Sequence, residues 1–183
     1  GAIAGDAMAA WTLGSKRHRD PDPAALEAAR GRALAPIGKP AGNLDEVREG
    51  LYQVMWDDVG IVRDAQSLAR AEGALAGLAA ELDETGIAEA NLAFNLTWHD
   101  WLNMKSLLLV SSSIRFAAAA REDSRGSHFR ADFPDVRDLE NSRYTCITWR
   151  DGKFGSSTRP VVSTSGYSRS GVSAAGRNAG TFM

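Results

Sequence analysis

The chain has 183 residues, enough for one domain with a sizeable apolar core or for one domain with appendages. Its 21 lysines and arginines against 23 aspartates and glutamates leave a formal net charge of −2, which excludes the strong overall basicity of a typical nucleic-acid binder. A single cysteine, Cys146, cannot close an intramolecular disulfide, and His18, His99 and His128 are too scattered for a zinc-like ligand set, so a reducing, cytoplasmic setting without a metal is expected.

The chain opens with GAIAGDAMAAW, which is rich in small residues, lacks a basic segment ahead of it and does not start with methionine. It reads as neither a secretory signal nor a native start, and the N-terminus is expected to be a cut. Residues 1–13 read as the second half of a helix, with Gly1 and Gly5 one turn apart as if a neighbour packs closely there. Ser15 to Pro23 is charged and proline-punctuated, an exposed linker. A short helix, Ala24 to Leu34, leads into Pro36, Gly38, Pro40 and Gly42, so residues 14–43 form a linker with a boundary near 43.

Asn43 can cap the next helix, with Asp45 and Glu46 in its first turn and Val47, Leu51, Val54 and Met55 at helical spacing. A second amphipathic run after Asp64 carries Leu68, Leu75, Leu78 and Leu82, and Gly86 supplies the residue most often found just past a helix end. A third, long helix is expected between Ile87 and Arg121. One of its stripes holds Phe94, Trp98, Trp101, Leu102, Leu108, Leu109 and Phe116, and the other holds Leu92, Leu96, Leu107, Val110 and Ile114. Two stripes imply burial on two sides, the second left over for another surface. Leu107 to Ala120, the longest apolar candidate, is broken by serines and Arg115 and falls short of the roughly 18 residues of a membrane span. The chain is therefore expected to be soluble, or peripheral through a partner.

Three helices on short connections predict a mainly α fold, an up-and-down three-helix bundle over residues 44–141 with the loop that follows it. Tyr144 to Trp149 is β-branched and aromatic and reaches Asp151-Gly152, so a small hairpin is expected over 142–162. Ser163 to Met183 holds five serines and four glycines, and is expected to be flexible unless a partner holds it. Residues 121–183 carry ten basic against seven acidic side chains, an imbalance too small to argue for DNA.

Two segments carry more than periodicity: LYQVMWDDVGIVRD at 51–64 and REDSRGSHFRADFPDVRDLEN at 121–141. The first resembles an M-W-x-x-V-G-I-x-R helix through Met55, Trp56, Val59, Gly60, Ile61 and Arg63. The second resembles E-S-R-G-x-H-x-R-x-D-x-P through Ser124, Arg125, Gly126, His128, Arg130, Asp132 and Pro134, with Asp123 where glutamate is usual. Both are similar to signatures of the C-terminal helical domain of the succinate dehydrogenase/fumarate reductase flavoproteins, L-aspartate oxidases included. The resemblance spans roughly residues 44–162, and the Ser/Gly-rich tail departs from it.

What this resemblance implies is an FAD-dependent oxidoreductase that moves hydride between flavin and a small dicarboxylate-like substrate. Residues 1–13 would be the tail of its last flavin-domain helix, and the glycine-rich FAD loop and catalytic residues would lie upstream. The chain alone is expected to bind no FAD and to be inactive. Its partners would be the flavin-binding domain of the same parent chain and, for a respiratory parent, an iron–sulfur subunit. An L-aspartate oxidase C-terminal domain and an autonomous helical interaction module are the alternatives.

Arg125, His128 and Arg130 form the most enzyme-like constellation, since cations beside an imidazole could bind a dicarboxylate. The preferred assignment is a domain interface, with the arginines on carboxylates or carbonyls, Gly126 permitting a sharp exit and His128 donating a hydrogen bond. His99, between Trp98 and Trp101, is expected to be partly buried. Asp57, Asp58 and Arg63 suggest a charge cluster at a helix end, Cys146 a packed thiol, and Ser111 to Ser113 small groups inside a helix. None of these is assigned as catalytic, cofactor-binding or metal-binding.

Overall fold

The structure, a computed structural model, describes residues 1–15, 20–137 and 141–161. The described residues are mainly helical: α1 (Ala2–Ser15), α2 (Pro23–Leu34), α3 (Leu44–Asp57), α4 (Ala65–Glu84) and α5 (Leu96–Ala120). Four strands, β1 (Val62–Arg63), β2 (Phe129–Arg130), β3 (Arg143–Arg150) and β4 (Lys153–Pro160), make two two-stranded sheets. The chain divides into two compact units, one of Gly1–Gly50 with Gly77–Leu108, the other of Leu51–Ala76 with Leu109 onward. His18, Val162 and the tail Ser163 to Met183 lie outside the described residues.

In the first unit, Asp22 accepts a hydrogen bond from the Ala24 amide and Pro23 opens α2, whose C-terminal turn is tied by Trp98 Nε1 donating to the Ala33 carbonyl at 2.7 Å. Asn43 caps α3 as expected, its Oδ1 accepting from the amides of Asp45 and Glu46 at 3.1 and 3.4 Å. Leu44, Val47, Leu82, Ile87, Met104 and Leu108 are buried, and Trp101 is 1% exposed. The Trp101 indole donates to the carbonyls of Leu82 and Thr85 at 3.2 and 2.9 Å, satisfying acceptors at the end of α4.

Gly86 lies just past the end of α4 as expected; its amide donates to the Pro40 carbonyl at 2.7 Å, and a Cβ there would collide with the Lys39 backbone, so it also serves a close chain crossing. Three expectations in this unit need correction. The long helix starts at Leu96 rather than near Ile87, because Asn95 is buried and acts as its cap. Asn95 Oδ1 accepts from the Trp98 amide at 2.9 Å, while its amide group holds the Glu89 and Asn91 carbonyls. His99 is exposed, with its ring tilted against Trp98 at 5.4 Å, rather than partly buried. Helix α1 buries none of its residues, and nothing approaches Gly1 or Gly5 among the described residues.

In the second unit, Val59, Leu68, Ala71 and Ala118 form a cluster joined by Val54, Met55 and Ala119. Asp64 and Ser67 cap the start of α4 reciprocally, Ser67 N donating to Asp64 Oδ1 at 2.7 Å and Asp64 N to Ser67 Oγ at 3.1 Å. A Cβ on Gly60 would meet the Trp56 carbonyl at 2.7 Å, which accounts physically for glycine in the V-G-I segment. Strands β1 and β2 pair in parallel, Val62 with Phe129 and Arg63 with Arg130. The expected hairpin is present as β3–β4, turning on Asp151 and Gly152 with φ of 50° and 75°, the two positive values a type I′ turn requires. Phe154 stacks on Phe116 at 5.2 Å and meets Trp149 at 4.4 Å. Among the described residues, no helix is long and apolar enough to cross a membrane.

Candidate functional site

The segment 121–135 of the second unit is held by polar side chains rather than by apolar packing. Ser124 is buried and serves as its hub, accepting from the Arg130 amide at 2.9 Å and donating to the Phe133 carbonyl at 2.8 Å. Arg125 and His128 exchange backbone hydrogen bonds at 2.8 and 3.1 Å, closing a tight loop in which Gly126 has φ of 60°. The loop therefore presents its side chains from a fixed frame.

Arg130 is 2% exposed, and each of its three guanidinium nitrogens has a hydrogen-bond partner. Nε and Nη2 grip Asp132 in a fork at 2.8 and 2.7 Å, while Nη1 donates to the carbonyls of Ala118, Ala119 and Arg121, the unsatisfied acceptors at the end of α5. Asp132 in turn accepts from the Ala65 amide at 3.0 Å, at the start of α4. The Arg130 hydrogen bond holds the Asp132 carboxyl well below the usual range, at about 2, and the same bond raises the guanidinium. One ion pair thus closes two helix ends.

Arg125 and His128 face elsewhere. With Arg63, Arg121, Arg143 and Tyr144 they line a groove of about 520 Å³, with Ile114, Ala117, Ala118, Thr145 and Val161 also contributing to its walls. Arg125 donates to Ser142 Oγ at 2.9 Å and to the Val136 carbonyl at 3.1 Å, and its Nε has no partner. Arg121 pairs with Asp123 at 2.6 Å, whereas Arg143 spends its donors on Thr158. Arg63 Nε and His128 Nε2 are also buried without a partner. Burial first, and then the Arg63 cation, lower the His128 pKa, against a hydrogen bond to the Arg121 backbone and the Asp123 charge; burial and Arg130 lower that of Arg63.

The structure therefore draws Arg125 and His128 into one groove and turns Arg130 inward as a brace. Sequence reasoning missed Arg63, Arg121 and Arg143 as groove residues. The expected Asp57–Asp58–Arg63 cluster is not formed: Asp58 pairs with Arg70 at 2.6 Å and Asp57 with Gln53, because the chain turns at Gly60 and carries Arg63 into β1. Register could have located Arg63, since the parallel pairing sets it beside Arg130, but two-residue strands leave no periodic signal. Cys146 is free and half-buried in β3, and no group of three or more metal-ligating side chains occurs among the described residues. The turn after β1 is Asp64-Ala65, without the glycines of a pyrophosphate loop.

The family model "Fumarate reductase flavoprotein C-term" matches residues 48–170, well over half of the chain. The flavoprotein of the 8-methylmenaquinol:fumarate reductase of Wolinella succinogenes is 32% identical over 119 residues, covering 64% of this chain and 19% of that protein. An L-aspartate oxidase of Streptomyces coelicolor is 32% identical over 145 residues, covering 79% of this chain and 24% of that protein. The chain thus spans about a fifth of the length of these curated relatives. Among solved structures, the Mycobacterium smegmatis Sdh1 complex in the apo form matches with a TM-score of 0.66 and 28% identity, over 79% of this chain and 26% of that one. Adenylylsulfate reductase of Archaeoglobus fulgidus shares the fold, with a TM-score of 0.70 at 18% identity over 88% of this chain and 28% of that one. With both signature segments inside the matched range, the chain belongs to the succinate dehydrogenase/fumarate reductase family of flavoprotein oxidoreductases, as a C-terminal domain.

Proposed function

We propose that this chain is the supporting C-terminal domain of an FAD-dependent enzyme that transfers hydride to or from a small dicarboxylate, and that it holds no catalytic group itself. The observation that carries this reading is what the signature segments do with their side chains. Ser124, Arg130 and Asp132 are used up inside the unit, whereas Trp56 is 82% exposed and Ile61, Val62 and Phe129 are exposed beside it in sequence or register. Large apolar side chains left in solvent by a signature segment mark a surface meant to be covered. Arg125 and His128 lie at that seam, with Arg130 bracing it from within, and α3, α4 and α5 pack as an up-and-down bundle. The flavin-binding domain of the parent is the covering partner. A respiratory parent would also present an iron–sulfur subunit to it, peripheral to the membrane through partner subunits.

The test is made in the parent flavoprotein. Arg125→Ala should lower its melting temperature or FAD content, while loaded molecules turn over within about tenfold of the original rate, a change of only about 1.4 kcal/mol in barrier. Absence of flavin from the purified parent would overturn the reading in favour of an autonomous helical module. The match to L-aspartate oxidase over 79% of the chain favours an aspartate substrate as the second reading, and oxidation of aspartate rather than succinate by the parent would select it.

A further inference from the structure

We propose that the arginine-lined groove of the second unit binds carboxylates carried by an acidic polypeptide segment, which rests on the seam reading above and names the chemistry of its other side. Arg63, Arg121, Arg125 and Arg143 surround one groove, and among the described residues Asp123 is the single carboxylate within ion-pair distance of any of them, at 2.6 Å from Arg121 and 3.8 Å from Arg125. Among the described residues Arg121 and Arg125 share that one carboxylate while Arg63 and Arg143 have none in reach, so the cations are under-compensated, and the partnerless Nε atoms of Arg63 and Arg125 lack the hydrogen bonds that buried donors normally make. An anion arriving there gains the attraction of several fixed cations and supplies the missing acceptors.

The shape favours a polypeptide over a free small acid. The groove holds about 520 Å³, and a second of about 310 Å³, which also has Glu122 and Asp123 in its walls, shares Arg121, Arg125, Arg143 and Thr145 with it. That extent suits a ligand the size of several residues rather than a four-carbon diacid. Ile114, Ala117, Ala118 and Val161 add apolar wall between the cations, which fits alternating acidic and aliphatic side chains of an extended segment. His128, facing Arg63, Arg121 and Asp123, reports occupancy, because a carboxylate beside it offsets the cations that disfavour its charged form.

The experiment titrates the 183-residue chain with a blocked peptide of alternating leucine and glutamate, its glutamine counterpart, succinate and inorganic phosphate, at low salt. The glutamate peptide should bind at least about tenfold more tightly than each of the other three, and Arg63→Gln or Arg143→Gln should weaken it by about tenfold or more. Circular dichroism shows whether each variant is folded, and Arg143→Gln, on an exposed hairpin residue, serves if Arg63→Gln is not. The His128 imidazole resonance should titrate at higher pH with the peptide bound. Equal binding of the glutamine peptide, or no binding of the glutamate peptide to folded chain, overturns the proposal. Succinate or phosphate binding as tightly as the peptide also overturns it, in favour of a small-anion site. Flavin loss in the Arg125→Ala parent together with no peptide binding would sink the groove and leave the seam standing; peptide binding with flavin content unchanged would do the reverse.

Discussion

Two side chains close helix ends in this protein by different chemistry. In the first unit the neutral Trp101 indole reaches the last carbonyls of α4, and in the second the Arg130 cation reaches those of α5. The indole brings a large apolar body that fills space around one N–H, so most of its contribution is burial. The guanidinium brings many donors but also a charge that must be matched, and Asp132 supplies the match while capping α4. A neutral closure is indifferent to salt and pH, whereas a charged one inherits the titration of its counter-ion.

The comparison breaks most visibly at Trp101. Trp101→Ala should destabilise the chain by roughly 3–5 kcal/mol in urea unfolding, through lost burial, the cavity left behind and the Thr85 carbonyl that loses its donor. Trp101→Phe keeps much of the body and removes only the N–H, so its loss should be about 1–3 kcal/mol. A loss under about 0.5 kcal/mol for the alanine variant would show that the site is not held by packing.

Arg130→Ala comes next, at about 3 kcal/mol, the lower end of the range for breaking a buried ion pair, since Asp132 is 30% exposed in its side chain and can rehydrate. Arg130→Lys should restore only part of this, because an ammonium cannot form the two-pronged contact and reach the α5 carbonyls at once. Full rescue by lysine would reduce the role of Arg130 to charge alone.

Acid should separate the two closures further. The Asp132 carboxyl titrates near 2 in the folded chain and near its ordinary value of 3.8 when unfolded, so between these values the unfolded chain binds more protons. Its stabilisation is therefore fully present above about pH 4 and is lost as the pH falls through the folded value. Asp132→Asn should flatten this part of the stability curve, and Trp101→Phe should leave its slope unchanged. The lowered His128 pKa acts in the same direction nearer neutrality, removing stability below its ordinary value of 6.5.

Much of the first closure is legible in the sequence, because it follows helical spacing: Trp101 and Leu108 fall on one stripe and both are buried, and Asn43 caps α3. The second closure has no period. Arg130 and Asp132 alternate over a turn, and their fork depends on the ends of two helices arriving from residues 65 and 118–121, which a local pattern does not encode. The same reason hides the groove, whose arginines come from β1, the α5 exit, the loop and β3. Asn95 escapes a sequence reading because a buried side-chain cap inside a long apolar run looks like continuation of the helix; its three side-chain hydrogen bonds decide the boundary instead.

The smallest effect on the chain itself is expected at Arg125. Its side chain is 29% exposed, its nearest carboxylate among the described residues lies 3.8 Å away and is already engaged by Arg121, and it also donates to Ser142 and the Val136 carbonyl. Partly exposed contacts of this kind are worth little, so Arg125→Ala should cost the 183-residue chain no more than about 1 kcal/mol, and relief of repulsion with Arg121 offsets part of that. If the proposed seam holds, the parent flavoprotein should respond differently, because there the same guanidinium would face a covered surface and its removal would strand a desolvated partner. The ratio of the two losses is the informative quantity: a variant almost silent in the chain and damaging to flavin retention in the parent assigns Arg125 to assembly. If Arg125→Ala or His128→Ala left stability and flavin content of the parent intact and cut turnover of loaded enzyme by about a thousandfold, roughly 4 kcal/mol of barrier, these residues would belong to the active site instead.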